Sequence, residues 1–349
     1  MKISSWAGAV GALILGGAFA GCSPSTSDNT DNASSGSNTS SGTKSSGANT
    51  SGAGGKTFLI GMSQANKGEP WRQAMNDQIA AAAKAHPDLK VVFADAAQSN
   101  VNQIADVKNF LRQGIDLLII SPNEAAPLTD AVAEVYGKGI PVILLDRKVN
   151  GDKYTMHIGA DNVEIGKKAG QFVAKWCADH GRKAGKVLEI RGLEGTSGTK
   201  ERGDGFRKGL ASNPNVQIIA KQNADWLREK AIPVSQAMLQ AHPDADVVYG
   251  HNDPMAEAAI ISAQNAKIDM SKLLVVGVDG LPTPDGGLKS VAAGRLGVTY
   301  VYPTGGAQAI DWAARILEKK EKPPRDVVLQ TEEVTKANAA QLLKKYGAA

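Results

Sequence analysis

Polar and aromatic side chains recur in this chain directly after the segments that are predicted to be β-strands. They comprise carboxylates, guanidinium groups, aromatic rings and a carboxamide, and no nucleophile stands beside a general base. The carboxyl ends of parallel strands meet at one edge of a sheet, and ligands bind outside that edge. The residues that we expect there are Ser63, Trp71, Arg72, Asp146, Arg147, Arg202, Trp226, Asn252, Asp279 and Tyr302.

This combination of side chains suits a small polyhydroxylated ligand. Vicinal hydroxyl groups can donate to a carboxylate and accept from a guanidinium or amide nitrogen, and bidentate geometry fixes distance and direction. Trp71 and Trp226 could contact the C–H faces of a sugar ring from opposite sides. Each residue alone is more often explained by capping, surface pairing or core packing than by a binding site. Their recurrence at six strand ends is what favours one common binding site.

Other chemistries lack the residues that they need. The glycine-rich segment 192–198 has no Gly-Lys-Ser/Thr ending, which argues against a nucleotide site. The histidines show no zinc-binding spacing, and His86 and His242 each precede a proline at a predicted helix end, where capping explains them. The sequence contains no G-x-S-x-G motif. It therefore predicts a binding protein that is not an enzyme and that needs no cofactor or metal.

Charge and cysteine content narrow the possible partners further. The 349-residue chain has 39 Lys and Arg residues against 35 acidic ones, a net charge of +4, and no long basic run. We therefore expect no nucleic-acid partner. The two cysteines, Cys22 and Cys177, indicate no disulfide framework, and Cys177 falls on the apolar face of a predicted helix, where a buried thiol is expected.

From Lys56 onward, short apolar runs alternate with amphipathic segments, which is typical of an α/β fold. The near-continuous apolar strands indicate parallel sheets covered on both faces, and two series of them predict two doubly wound lobes. Strands are predicted at 57–62, 90–93, 116–120, 141–145, 186–190, 217–220, 246–249 and 273–278. Helices are predicted at 72–85, 101–112, 128–136, 164–178 and 228–241. The helix 306–319 and the strand-like run 326–329 follow the second series and could return to the first lobe.

The first 55 residues have a different composition. A charged start, an apolar stretch at 7–20 and the sequence Phe19-Ala20-Gly21-Cys22 resemble a bacterial lipoprotein signal peptide of residues 1–21, after which Cys22 becomes lipid-modified. There are two alternatives: the segment remains as an uncleaved membrane anchor, or the protein is secreted in the ordinary way and the cysteine is not modified. Residues 22–55 contain this cysteine and a Ser/Gly-rich tether with a reach of roughly 30 Å. We therefore expect an exported module that a lipid holds at a membrane.

Several motifs, in their order along the chain, together resemble those of one family. They are Ile140-Pro-Val-Ile-Leu-Leu-Asp-Arg147, Ile158-Gly-Ala-Asp-Asn162, Gly195-Thr-Ser197 with Glu201-Arg-Gly-Asp-Gly-Phe206, His251-Asn-Asp-Pro-Met-Ala256 and Val276-Gly-Val-Asp-Gly280. Over residues 56–349 the chain resembles periplasmic sugar-binding proteins of ABC transporters, of the ribose- and galactofuranose-binding type. These proteins have the type I periplasmic-binding-protein fold.

The resemblance implies how the lobes are built and which residues contact the sugar. The implied lobes are 56–160 with 304–331 and 161–303 with 332–349. The three implied hinge crossings lie near 159–161, 302–304 and 330–333, where the lobes could close as rigid bodies. The implied polar contacts to the sugar are Asp146, Arg147, Arg202, Asn252 and Asp279. The implied first-loop contacts are Ser63 and Trp71, and the aromatic contact from the second lobe is Trp226.

Two positions leave the individual sugar open. The pair Trp71-Arg72 is similar to galactofuranose binders, whereas Tyr302 stands where ribose binders carry Gln and galactofuranose binders carry Glu. The expected protein is a monomer, lipid-anchored in the periplasm or at the cell surface, that captures a monosaccharide and delivers it to an ABC-transporter permease. The alternative is a sugar-sensing partner for chemotaxis or a two-component system. A repressor of the same fold would need a DNA-binding headpiece before Lys56, where the signal and the tether stand instead.

Overall fold

The structure is a computed structural model, and it describes residues 56–347. The predicted signal peptide 1–21, Cys22 and the tether 22–55 lie outside the described residues. Within the described part, no helix combines the length and the apolar composition that crossing a membrane requires.

The described residues form twelve strands and ten helices. The strands are β1 (Phe58–Gln64), β2 (Leu89–Asp95), β3 (Leu117–Ile120), β4 (Val142–Leu145), β5 (Met156–Ala160), β6 (Lys186–Arg191), β7 (Gln217–Asn223), β8 (Val247–Gly250), β9 (Leu274–Val276), β10 (Val298–Val301), β11 (Asp326–Leu329) and β12 (Glu332–Thr335). The helices are α1 (Pro70–Ala83), α2 (Asn100–Gln113), α3 (Ala125–Gly137), α4 (Asn162–Asp179), α5 (Ser197–Leu210), α6 (Arg228–Ala241), α7 (Asp253–Asn265), α8 (Gly287–Ala292), α9 (Gly306–Leu317) and α10 (Ala339–Tyr346).

The strands form two six-stranded sheets, and each sheet is the centre of one lobe. The first has the order β11-β5-β4-β3-β1-β2 and is parallel throughout. The second has the order β12-β10-β9-β8-β6-β7 and is parallel except for β12, which runs antiparallel to β10. This architecture confirms the prediction of two doubly wound α/β lobes.

The central strands are buried along their whole length because helices cover both faces of each sheet. Every residue of β3, β4 and β8 is buried. In the second lobe, α4 and α5 approach so closely that a Cβ atom at Gly166 would lie 2.2 Å from the backbone oxygen of Arg202. This contact fixes α5, and with it Arg202, against the start of α4.

The eight predicted strands and the six predicted helices are all present, with ends that differ by at most three residues. The strands β5, β10 and β12 are missing from the predicted set. β5 carries His157 and Gly159 within an otherwise apolar run, and β12 is a polar strand at a sheet edge, so neither shows the apolar pattern of a buried parallel strand. Cys177 is a fully buried thiol in α4, as predicted.

The chain crosses between the sheets three times. The first crossing follows β5, because α4 packs against α5 of the second lobe. The second follows β10, because α9 packs against α1 of the first lobe. The third joins β11 of the first sheet to β12 of the second through residues 330–331. A three-segment hinge therefore connects the lobes.

Candidate functional site

Nine of the ten predicted site residues line one cavity between the lobes. Its walls are formed by Glu69, Trp71, Arg72, Asp146, Arg147, Gly198, Arg202, Trp226, Asn252, Asp279 and Tyr302. The space between these side chains, including the part that is open to solvent, measures about 310 Å³. Carboxylates, guanidinium groups and aromatic rings line it together, which makes it a narrow polar site between the lobes.

Unusual backbone conformations aim three of these side chains into the cavity. Asp146 and Trp226 have positive φ angles of 71° and 72°, and Asp279 has a φ of 137°. Non-glycine residues adopt such conformations at a cost of about 1–3 kcal/mol each, and they persist only where surrounding contacts impose them. Asp146 is held by a bond from its N–H to the Ile158 carbonyl (2.8 Å), and Asp279 by one to the Tyr300 carbonyl (3.1 Å).

Arg72 organises the first-lobe wall. It lies in the first turn of α1 and its guanidinium donates to four partners: Glu69 (3.1 Å), Gln64 (2.8 Å), Ser121 (2.8 Å) and Asp146 (3.1 Å). The Arg72 side chain is only 2% exposed. Four of its five N–H groups are therefore occupied by protein oxygen atoms before any ligand arrives.

The charge of Asp146 is fixed by its neighbours. Burial alone would raise the pKa of this carboxyl group, but the guanidinium groups of Arg72 and Arg147 and a hydrogen bond from Tyr302 outweigh burial and lower it. The Asp146 side chain therefore stays ionised at neutral pH and can accept hydrogen bonds from ligand hydroxyl groups.

Arg147, next in sequence, extends from the first lobe toward the second. Its Nη1 donates to the Asn123 carbonyl (2.9 Å), and its guanidinium lies 5.7 Å from the ring centre of Trp226. Burial, and then the nearby charge of Arg72, lower its pKa to about 10. Nη2 of Arg147 is buried without a hydrogen-bond partner among the described residues. Its ion-pair contact with Glu69 Oε1, at 3.9 Å, is too long for a hydrogen bond, so a ligand oxygen can still accept from this donor.

Arg202 and Trp226 form the second-lobe wall. Arg202 Nε donates to the side-chain oxygen of Asn162 (2.7 Å), and Nη1 donates to the His251 carbonyl. Its guanidinium lies 5.1 Å from the Trp226 ring centre and 4.6 Å from that of Tyr302. The indole N–H of Trp226 is buried and has no acceptor in the described part of the chain. This wall therefore presents a guanidinium group close to an aromatic ring, together with one donor that has no acceptor.

Tyr302, at the second crossing, joins the two walls. Its hydroxyl group donates to Asp146 (2.6 Å) and accepts from Asn162 (3.3 Å), and its carbonyl oxygen accepts from the indole of Trp71 (2.7 Å). The Trp71 and Tyr302 rings lie 5.0 Å apart. Because the bonded groups come from different lobes, movement about the hinge must break or rearrange this set of bonds.

Asn252 and Asp279 use their side chains differently. Asn252 caps α7 by accepting from the Met255 N–H (3.0 Å), and its amide donates to the Trp226 carbonyl (2.9 Å). It therefore positions Trp226 as well as facing the cavity. Asp279 is buried at 6% exposure. Burial, followed by the neighbouring Asp253 carboxyl, raises the pKa of Asp279.

Ser63 lies away from the cavity. It is a fully buried residue of β1, and its hydroxyl group lies 3.4 Å from the Asp106 carboxylate of α2. Conversely, Glu69 and Gly198 line the cavity but are absent from the predicted set. Glu69 precedes Arg72 by three residues at the start of α1, a spacing that places acid and base side by side on a helix and could have revealed it.

The rims of the lobes touch around the cavity. The Ala125 N–H donates to the Gly195 carbonyl (3.1 Å), Gln98 Nε2 donates to the Asp225 carbonyl (2.9 Å), and the Lys148 N–H donates to the Ser197 hydroxyl (3.2 Å). In each pair one residue belongs to the first lobe and the other to the second. The structure is therefore a closed form in which the cavity is enclosed by both lobes.

This two-lobed architecture with an enclosed interlobe cavity matches that of known proteins. A family model described as "Periplasmic binding protein domain" matches residues 60–322. The chain belongs to the periplasmic binding protein family. Its sugar-binding members are binding proteins of the ABC-transporter type and not enzymes, and membership implies export to the periplasm or the cell surface.

Individual family members are similar over most of the described residues. The ribose import binding protein RbsB of Bacillus subtilis is 34% identical over 225 residues, which are 64% of this chain and 70% of that protein. The fructose-binding periplasmic domain of the hybrid two-component system BT1754 is 40% identical with a TM-score of 0.77, covering 82% of this chain and 94% of that one. The structure of a galactofuranose-binding protein is 26% identical with a TM-score of 0.78, covering 83% and 98%.

Proposed function

We propose that this protein captures a neutral monosaccharide between its lobes and delivers it to the permease of an ABC transporter. The observation that carries the proposal is the enclosed cavity, in which three arginines and three carboxylates face one small space between two lobes. Planar guanidinium groups and carboxylates together match the alternating acceptors and donors of a sugar ring.

The charges of the cavity favour a neutral sugar over a sugar phosphate. Arg72, Arg147 and Arg202 face the three acids Glu69, Asp146 and Asp279. A phosphate group would bring further negative charge beside these buried carboxylates, at an electrostatic cost that a neutral hydroxyl group avoids. A neutral polyol instead provides hydroxyl oxygens that accept hydrogen bonds from the buried donors that have no acceptor within the described part of the protein.

The donors without acceptors assign roles to individual residues. Nη2 of Arg147 and the indole N–H of Trp226 would donate to ring or hydroxyl oxygens of the sugar, because each buried donor left unpaired costs about 1–3 kcal/mol. Asp146 and Asp279 would accept from sugar hydroxyl groups. Trp71 and Trp226 would contact the apolar faces of the ring.

The ligands of the similar proteins narrow the class of sugar that we propose. Two of the similar structures are those of proteins described as binding fructose and galactofuranose. We therefore propose a ketohexose or a five-membered-ring sugar as the ligand.

Calorimetric titration of residues 56–349 tests this proposal. The panel consists of fructose, ribose, arabinose, galactose, myo-inositol and fructose 6-phosphate. We expect binding of at least one neutral sugar with one site per chain and a small-angle scattering profile that matches closed lobes, with no binding of the phosphate ester. Failure of every neutral sugar to bind would contradict the proposal.

A sensing role is the second candidate, because the relative that is 40% identical is the periplasmic domain of a hybrid two-component system. The two roles predict different phenotypes for a strain that lacks the gene. Loss of labelled-sugar uptake with normal sugar-dependent transcription supports delivery to a permease. Normal uptake with loss of the transcriptional response supports sensing and contradicts transport.

The N-terminal segment completes the proposed arrangement. We propose that cleavage after Gly21 exposes Cys22 for lipid attachment, and that residues 23–55 tether a monomeric two-lobed module (56–160 with 304–331, and 161–303 with 332–349) to the membrane surface. Fractionation of cells tests the anchor. The wild-type protein should sediment with membranes, and Cys22→Ser should release it; an equal membrane fraction for both would contradict lipidation.

A further inference from the structure

The tetrapeptide Ala-His-Pro-Asp occurs twice in this chain, at residues 85–88 and at residues 241–244. Each copy lies at the C-terminal end of a helix, α1 or α6, and forms the same tight turn. The Leu89 N–H donates to the His86 carbonyl (2.9 Å), and the Ala245 N–H donates to the His242 carbonyl (3.1 Å). The backbone therefore presents the histidine and the aspartate of both copies in a similar way.

Tertiary structure gives the two copies different neighbours. In the second copy, the Asp244 carboxylate binds the ammonium group of Lys186. In the first copy, the carboxylate of Glu318, at the end of α9, approaches His86 with Oε1 3.7 Å from Nδ1. The second turn is thus paired with the ammonium group of Lys186. The first turn is instead paired with a carboxylate, which is a group that can bind a metal ion.

We propose that His86, Asp88 and Glu318 form a binding site for a divalent transition-metal cation, with Zn²⁺ as the matching example. One ligand atom from each of the three residues lies within 4.8 Å of the other two, and among the described residues this is the one such group of three. Zinc bound tetrahedrally to nitrogen and oxygen at 2.0–2.2 Å holds its ligands about 3.4 Å apart. Small side-chain rotations would bring the three atoms to that spacing.

The donor types select the class of metal. An imidazole nitrogen with two carboxylates suits zinc and its neighbours in the transition series, whereas magnesium and calcium prefer oxygen donors alone. The His86 side chain is 31% exposed and that of Glu318 is 29% exposed, so a cation can enter from solvent and a water molecule can fill the fourth position.

The surroundings contribute in two opposite ways. The helices α1 and α9 both end at this place, and the partial negative charge of a helix C-terminus favours a cation. Against this, the ammonium group of Lys320 donates to the Leu317 carbonyl (2.7 Å) and neutralises part of the end of α9. Affinity for metal must therefore come from the three direct ligands.

Such a metal would join two distant parts of the chain within the first lobe. His86 and Asp88 follow the first helix, whereas Glu318 follows the helix that returns after the second crossing. The sugar cavity is at the opposite end of α1, about 20 Å away along a 14-residue helix. The metal should therefore stabilise the first lobe without altering sugar binding, and the site is independent of the proposed function.

Isothermal titration of the tag-free protein with ZnCl2 tests the site, with MgCl2 as the probe for a hard cation. We expect one Zn²⁺ per chain, a rise in the midpoint of thermal unfolding on addition of Zn²⁺, and no response to Mg²⁺. His86→Ala and Glu318→Gln should each weaken Zn²⁺ binding by about tenfold or more. His242→Ala is the matched control in the same tetrapeptide and should bind Zn²⁺ like the wild-type protein.

Three results would overturn the inference: no Zn²⁺ binding by the wild-type protein, unchanged binding by both His86→Ala and Glu318→Gln, or equal weakening by His242→Ala. Circular dichroism of each variant establishes that it is folded. Sugar titration with and without Zn²⁺ keeps the two proposals separate, because loss of the metal site leaves the sugar cavity intact.

Discussion

The two walls of the cleft hold their arginines in different ways. In the first lobe, Arg72 is bonded to the carboxylates of Glu69 and Asp146. In the second, Arg202 is bonded to neutral groups, namely the amide oxygen of Asn162 and the His251 carbonyl. Both side chains are buried, so neither charge is solvated by bulk water.

The first wall has its charges compensated and its hydrogen bonds formed without a ligand, whereas the second wall does not. The first-lobe charges compensate one another inside the protein, which makes this wall a rigid and pre-organised surface. The second-lobe wall keeps a buried indole N–H without an acceptor, carried by a residue with positive φ. Arg147 of the first lobe reaches over to this side with the other free donor. We infer that the ligand completes the bonding mainly at the second wall.

The largest expected effect comes from removing the compensating cation of the first wall. Arg72→Met leaves Glu69 and Asp146 buried without their main partner, and breaking a buried ion pair on one side costs about 3–5 kcal/mol. Urea denaturation should show this loss of unfolding free energy, and sugar binding should disappear. Lys84→Met removes a charge from an exposed position after the same helix and should change the unfolding free energy by less than about 0.5 kcal/mol.

Arg202→Met should destabilise less but should abolish binding equally. The groups bonded to Arg202 are neutral, so its removal leaves two oxygen acceptors unpaired, which lowers the free energy of unfolding by about 1–3 kcal/mol. It leaves no directly bonded carboxylate without its cation. Titration with the sugar should show a loss of affinity of at least about a hundredfold, equivalent to about 2.7 kcal/mol. Lys200→Met, on the exposed face of α5, is the control. Equal destabilisation by Arg72→Met and Arg202→Met would refute the distinction between the walls.

Trp226 can be displaced without changing any polar group. A Cβ atom at Gly192 would lie 2.1 Å from Cε2 of Trp226, so Gly192→Ala must move the indole ring. Sugar affinity should fall by about tenfold, or about 1.4 kcal/mol, and the tryptophan fluorescence should shift. Gly137→Ala is the control, because a Cβ atom there has no neighbouring heavy atom within 4 Å. Unchanged affinity in Gly192→Ala would show that Trp226 is not a ligand contact.

The smallest expected effect is a difference in how the two walls respond to pH. Burial raises the pKa of Asp253, behind the second wall, to about 6. A carboxyl group whose pKa is raised on folding binds a proton more readily in the folded state. Its stabilising contribution is complete below the unfolded-state pKa of about 3.9 and is lost as pH rises from there through about 6. The pKa of Asp146 is lowered, so its contribution is lost only when pH falls below about 4.

Thermal unfolding of the wild-type protein and of Asp253→Asn between pH 4.5 and about 7.5 measures this difference. The variant should lack the decline in stability that Asp253 causes as pH rises through 6. His157 and His251 have lowered pKa values and act in the opposite direction in both proteins. The Asp253 carboxyl group also raises the pKa of Asp279, so the difference between the two curves reports this pair of carboxyl groups together. Parallel curves for the two proteins would contradict the assignment.

Much of the site could be predicted from the sequence because it depends on position along individual strands. Asp146 and Asp279 each follow an apolar parallel strand, and the geometry of such sheets places both at one edge. Ser63 also follows a predicted strand, but the observed strand β1 extends through it to Gln64. Ser63 is therefore a residue of the sheet, and its hydroxyl group donates to the Asp106 carboxylate. The predicted strand end was two residues too early, and this difference was enough to make a core residue look like a cavity residue.

Other features required the folded chain. Asn252 was predicted as a sugar contact from its residue type and its position after a strand. Its other role, in which it caps α7 and donates to the Trp226 carbonyl, depends on the folded position of that carbonyl group. Likewise, spacing along the chain predicts no metal site at His86, since Glu318 arrives from a helix more than two hundred residues later.

The sequence by itself determined the fold class and the kinds of group around the cavity, because hydrophobic periodicity and strand-end position are local properties. Tertiary structure alone decided which of these groups compensate one another. Arg72 and Asp146 are 74 residues apart, and Tyr302 and Asp146 are 156 apart. The first pair meets because both residues fold into the first lobe, whereas the second pair joins the crossing segment to the first lobe. Burial then sets the pKa of each charged group and leaves particular donors without an acceptor.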